Sequence, residues 1–273
     1  MPVPKPSARD VYLLCISKVK PTAKKRLEAL EADVVNAAGR FEVAAAKAAL
    51  HDLRDLLASP SDQVDRTELA NNYKDRLLKK DHPARDVYDA LKGGTDEGLC
   101  PLCAHRDVET LDHQLPKSKY PLLSVVPVNL VPACHRCNTI KSDADPKTAS
   151  EQTLHPYFDD LGTEQWLFAQ FNEEFRVVTF FVEPPTNWDS VLAARVRGHF
   201  ETFGLADLYL AQGAREVSNL QYILKRKVPS TIGDYLRDEA EGLAEKSPNH
   251  WRTATYQALA NSSWYINGGY MLG

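Results

Sequence analysis

Apolar residues along most of the chain recur at three- and four-residue intervals, and that rhythm predicts helices. Pro21 or Thr22 opens the first, which carries Leu27, Leu30 and Val34, with Gly39 as a candidate break. Val43, Ala46, Leu50, Leu53 and Leu57 keep the spacing and predict an amphipathic helix closed by Ser59, Pro60 and Ser61. A further helix brings Val64, Leu69, Tyr73 and Leu77 inward, and a shorter one covers Pro83 to Leu91. Gly93 and Gly94 then break the chain and mark an expected domain boundary. Beyond residue 150 helical character returns, with one exception. Gln165 to Gln170 and Phe175 to Val182 flank the turn Asn172-Glu173-Glu174, and the second run is rich in β-branched and aromatic residues, so a β-hairpin is predicted there. Helices follow at about 189–203, 206–227, 231–245 and 249–260, with Asp189 and Thr231 as N-caps.

Residues 98–147 differ in character. They are rich in Cys, His and Pro and weakly periodic, so they cannot build a large apolar core and need a metal to hold them. The expected fold is mainly α with a small α+β module. Three regions are expected: a helical region 1–95, a zinc module 96–147, and a helical region with one hairpin, 148–273.

Cys100-Pro-Leu-Cys103 and Cys134-His-Arg-Cys137 form a paired C-x-x-C arrangement. Each pair can wrap a knuckle around one ion, and two knuckles complete a tetrahedral four-thiolate zinc site. Four thiolates leave no open position, so the zinc is structural. His135 and His105 then read as fillers rather than ligands. The remaining cysteine, Cys15, lies in the apolar run VYLLCIS and reads as a small buried hydrophobe.

The 273 residues carry a net charge of −4, with 43% hydrophobic and 26% charged residues. That balance is ordinary for a globular protein and argues against a strong free-standing DNA binder, which is usually basic. The start MPVPKPSARDVYLL has no apolar stretch long enough for a signal peptide. No other stretch approaches the ~20 residues that span a bilayer, so a cytoplasmic protein with no membrane partner is expected.

The segment joining the two cysteine pairs shows what the module is for. Asp112-His113, then Asn129, then Asn138 and Lys141 after the second pair resemble the HNH nuclease family with its ββα-metal fold. The run Leu111 to Asp143 is similar to HNH proteins of bacterial anti-phage systems, especially the nuclease partner in Septu-type ATPase–HNH pairs, and HPYFD at His155 to Asp159 extends the likeness. The resemblance implies an endonuclease that hydrolyses DNA, with His113 as general base, Asn129 orienting it, and Asp112 and Asn138 holding a catalytic Mg²⁺ or Mn²⁺. It also implies an ATPase partner in a defence complex. The family's last letter is His, and Asn138 stands there in this chain.

The chemistry agrees with those roles. A neutral imidazole suits deprotonation of water near neutral pH. Two oxygen ligands plus waters and phosphate oxygens suit Mg²⁺. Lys141 lies one helical turn from Asn138, on its face, within reach of a phosphate, and Lys117 and Lys119 are candidates for tracking the backbone. His155, before Pro156-Tyr157-Phe158, reads as a buried anchor, with a site-lining role as the alternative. The basic runs Lys18 to Arg26, Lys74 to Lys80 and Lys225 to Lys227 read as solvated helix faces. Two other functional readings use the same residues: an RNA- or tRNA-cleaving nuclease, and a non-catalytic zinc-stapled subunit for nucleic-acid binding or assembly.

Overall fold

In the computed structural model, which describes residues 1–58 and 63–272, Ser7 starts the first helix, α1 (Ala8–Ile16): its hydroxyl accepts from the Asp10 amide at 3.1 Å. Cys15 is fully buried on the inner face of α1. Helix α2 (Pro21–Glu28) begins with proline at its first turn, where no amide hydrogen is needed, and α3 (Glu31–Ala45) follows directly. The Tyr12 hydroxyl donates to the Leu27 carbonyl at 2.8 Å and ties α1 to α2. Leu27, Leu30 and Val34 are all buried, as the spacing predicts.

The helix expected to run through Val43 and Leu57 is instead two elements. Helix α3 stops in a Schellman cap: Ala48 takes the left-handed conformation (φ 53°), its amide bonds Ala45 O, and the Ala49 amide bonds Ala44 O at 2.8 Å. A 3-10 segment, Leu50–Leu57, continues the chain. The turn at Ala48 rotates the stripe, so Leu50 and Leu53 are buried while Val43 is 59% exposed. The expected stop at Ser59, Pro60 and Ser61 lies outside the described residues.

Gly39 does not interrupt α3. A Cβ built on it meets nothing within 4 Å. Mid-helix glycine costs roughly 0.5–1 kcal/mol against alanine. Gly39→Ala is therefore expected to stabilise the protein by about that amount, read as a higher melting temperature.

Asp65 caps α4 (Arg66–Asn72), its carboxylate accepting from Thr67 N at 3.0 Å, and a single π-helical turn, Tyr73–Leu77, follows. Helix α5 covers Arg85–Lys92. Strand β1 (Thr110–His113) pairs antiparallel with β2 (Leu130–Ala133), Asp112 opposite Val131 and His113 opposite Leu130. Helix α6 (His135–Lys141) comes next, capped by Cys134. Hairpin and helix thus follow in the order ββα.

Two compact units emerge, Met1–Asp160 and Leu161–Gly273. The boundary expected at Gly93-Gly94 falls inside the first. The reason is physical: strands of four residues cannot bury their own faces, so α5 packs against both, and Leu111, Leu115 and Leu130 join the core built by Phe41, Leu69 and Tyr88.

In the second unit β3 (Leu167–Asn172) pairs antiparallel with β4 (Val177–Val182). This is the expected hairpin, with the strands shifted so that Phe175 sits in the turn, 69% exposed. Its amide donates to the Asn172 side chain at 2.9 Å. Helices α7 (Ser190–Thr202), α8 (Leu205–Leu224), α9 (Ile232–Lys246), α10 (Trp251–Ala260) and the short α11 (Ser263–Ile266) complete it. Asp189 caps α7 through two backbone amides, as expected. Thr231 does not cap α9. Its hydroxyl donates to Val228 O within the 3-10 turn Pro229–Thr231. Gly213 lets α8 lie on β4: a Cβ there would stand 3.2 Å from Phe180 Cε2. Among the described residues no helix is long and apolar enough to cross a membrane.

Candidate metal centre

The four cysteines meet. Cys100, Cys103, Cys134 and Cys137 are all buried, and their Sγ atoms lie within 4.8 Å of one another. Four zinc–thiolate bonds of about 2.3 Å set tetrahedral edges of about 3.8 Å, so the cluster needs only a slight contraction around an ion. Each knuckle is shaped by backbone bonds. Ala104, at φ 47°, donates to the Cys100 carbonyl at 2.8 Å, and the Cys137 amide donates to Cys134 Sγ at 3.3 Å. The donor set fits a structural zinc. Among the described residues no other group of three His, Cys, Asp or Glu side chains could hold a metal. His135 is exposed and stays outside the cluster.

His113 ends β1, with its ring buried. Nε2 lies 2.8 Å from the Ser124 carbonyl oxygen. A carbonyl only accepts, so Nε2 carries the proton and Nδ1 keeps its lone pair. Nδ1 is then the ring's acceptor position. Ser124 is itself fixed, its hydroxyl donating to Leu69 O on α4 at 2.8 Å. The Tyr73 ring stands edge-on against the imidazole at 4.5 Å between centroids, and its hydroxyl donates to Leu111 O at 3.0 Å. Burial, then the charge of Lys117, pushes the imidazole down to about 3, against the opposing pull of the Ser124 bond, so the ring is neutral at physiological pH.

Asp112, the neighbouring strand residue, turns to α6. Its Oδ2 lies 3.2 Å from the Lys141 ammonium, with the two side chains 5% and 3% exposed. The ammonium also donates to the His113 carbonyl at 2.5 Å. Burial lifts the Asp112 carboxyl above its ordinary value, with Lys141 working the other way. The sequence points Lys141 at a phosphate. The structure commits its ammonium to Asp112 and to the β1 backbone, because a buried carboxylate without a partner is costly.

Asn129 is expected to orient His113. None of its side-chain hydrogen bonds among the described residues goes to the ring. Its Oδ1 accepts from Leu115 N at 2.7 Å, and its Nδ2 donates to Leu115 O at 3.0 Å and Leu123 O at 3.1 Å. It therefore clamps the loop that leaves His113 against the loop that carries Ser124. Asn138 is half-buried on α6, one turn before Lys141, and its side chain makes no hydrogen bond among the described residues. Asn138 is three residues from Lys141, a spacing that puts two residues on one side of a helix. Lys117 stands over the Tyr73 ring at 5.5 Å. Lys119 donates to the Asp143 carbonyl at 2.9 Å. His155 is fully buried, its Nε2 donating to Val128 O, with the rings of Phe41 and Phe158 edge-on to it, so it anchors the core.

Sequence reasoning missed the partners of His113. Tyr73 reads as one apolar position of a helix, and Ser124 acts through a carbonyl that any residue would offer. It also missed Asp145, a nearly sealed carboxylate bound to Arg54 at 2.6 Å and to the Tyr120 hydroxyl at 3.0 Å.

No family model matches the chain, and no solved structure matches it. The chain is 30% identical to Protein ea31 of Escherichia phage lambda over 222 residues, covering 74% of this chain and 75% of that protein. The chain belongs to the family of that phage protein.

Proposed function

We propose that the chain is a metal-dependent endonuclease of the HNH type, hydrolysing phosphodiester bonds of DNA at the end of β1. The observation that carries the reading is the 2.8 Å contact of His113 Nε2 with Ser124 O, which assigns the ring hydrogen to Nε2 and leaves Nδ1 as the acceptor. A neutral imidazole fixed in this way would take a proton from water once the negative charge of a bound phosphate offsets the burial and the Lys117 charge that disfavour its cation.

Asp112 and Asn138 would hold a divalent ion, offering one carboxylate and one amide oxygen, a donor set that leaves room for waters and phosphate oxygens. When bound, the ion would polarise the phosphate and neutralise charge on the leaving oxygen. Zinc held by the four cysteines would fix where α6 starts against β1. Asn129 and Ser124 hold the imidazole's loop, and Tyr73 fixes its ring plane. Lys117, over the Tyr73 ring, would meet a phosphate. By the same likeness, the partner would be an ATPase of a phage-defence complex, which co-purification from the native operon tests.

The expected result is nicking of supercoiled plasmid in Mg²⁺ or Mn²⁺ that falls at least about 100-fold in His113→Ala, the usual contribution of a general base. Equal nicking by both proteins would remove His113 from the chemistry. RNA fragmentation with intact plasmid would move the substrate to RNA. A second reading, a non-catalytic scaffold, is favoured by the commitment of Asp112 to Lys141. It is supported if neither DNA nor RNA is cut, alone or with co-purified partners.

A further inference from the structure

Lys141 is the last residue of α6, and its ammonium occupies the Asp112 carboxylate at 3.2 Å inside the protein. The nuclease reading gives that carboxylate to a divalent ion. An ammonium and a divalent cation on one buried carboxylate repel strongly where the local dielectric is low. Each occupant therefore disfavours the other.

The ammonium also has somewhere to go. Lys141 lines a cavity of about 130 Å³ together with Gln114, Asp145, Glu151 and Thr153. Two carboxylates thus line the space beside the lysine stem, Asp145 already paired with Arg54, Lys119 and Lys147, and Glu151 accepting from the Lys147 amide. The helix ends at once: Ser142 leaves it at φ 47°, so the residue after Lys141 is no longer helical.

We infer that Lys141 and the divalent ion compete for Asp112: the lysine holds the free chain metal-poor, and metal binding requires its ammonium to move toward the neighbouring cavity or an incoming phosphate. The inference rests on the nuclease reading for the identity of the ion, but it concerns binding, which is measured without cleavage. Removing the ammonium should strengthen metal binding, whereas removal of an ordinary helper of the site would weaken it.

The probe is Mn²⁺ alone, titrated into the full zinc-loaded chain, with free Mn²⁺ followed by electron paramagnetic resonance and binding checked by thermal melting. Lys141→Met is expected to bind Mn²⁺ about tenfold or more tightly than the wild type, with a lowered melting temperature that Mn²⁺ restores. Lys141→Arg, which keeps the charge, is expected to stay as weak as the wild type. Adding Asp112→Asn to Lys141→Met should abolish the gain. If Lys141→Met loses its zinc, Lys141→Gln takes its place, with the same expectation. Mn²⁺ affinity unchanged or lowered in a zinc-retaining variant, or a gain that survives Asp112→Asn, would overturn the competition. Tight Mn²⁺ binding by Lys141→Met with neither DNA nor RNA cut by any form, alone or with co-purified partners, would keep the competition and remove the nuclease. Cleavage with unchanged Mn²⁺ affinity would do the reverse.

Discussion

Replacing Cys137 with serine, or stripping the metal with a strong chelator, is expected to unfold the first unit's strand pair and lower its melting temperature by about 10–20 °C. The size follows from what the ion replaces. Strands β1 and β2 have four residues each, too few for an independent sheet, and the knuckle at Cys100–Cys103 is held by short-range backbone bonds. Structural zinc in small modules supplies about 10–16 kcal/mol of folding free energy. Here the hairpin also leans on α5 and a shared core, so a smaller net loss of about 5 kcal/mol is expected, worth roughly 2–4 °C per kcal/mol in a unit of this size. Metal analysis should give one zinc per chain. Amide exchange should show Thr110–His113 losing protection first. A chain that melts unchanged after complete removal of zinc would contradict the role given to the cysteines.

The second large effect is expected at Asn129. It is fully buried, and its side chain makes three hydrogen bonds to backbone groups of Leu115 and Leu123. Asn129→Ala removes all three and leaves one amide and two carbonyls buried without those partners. A stranded buried polar group costs about 1–3 kcal/mol, and backbone relaxation or water recovers part of it, so a loss of about 3 kcal/mol is expected in chemical denaturation. Asn129→Asp keeps the acceptor for Leu115 N but loses both donors and buries a charge, so it should be no milder. The damage should concentrate in the loops on either side of Asn129. A loss under about 1 kcal/mol for Asn129→Ala would mean that the clamp is not structural.

The legible parts of this molecule are those whose chemistry is local in sequence. A C-x-x-C pair is a knuckle whatever surrounds it, and Asp112-His113 can be read as an acid beside a base. Asp189 could be read as a cap because capping reaches only two or three residues. The pairing of Lys141 with Asp112 was hidden, since it crosses from α6 to β1 and nothing at either position announces the other. Ser124 was hidden for another reason: it holds His113 through its backbone oxygen, so its side-chain type carries no signal. The stop of α3 at Ala48 escaped because the run of alanines has no preference strong enough to show a break, and the apolar spacing carries straight through it. Gly93-Gly94 marks a turn as read, but glycines report backbone freedom and not where a core ends.

The claim beneath the functional reading is that one nitrogen of His113 is kept free to take a proton. Nitrogen-detected NMR on histidine-labelled protein, with His113→Gln to assign the signal, measures this directly at neutral pH. The account predicts a neutral ring with hydrogen on Nε2, bonded to the Ser124 carbonyl, and a bare Nδ1. A proton on Nδ1, or a doubly protonated ring, would contradict it.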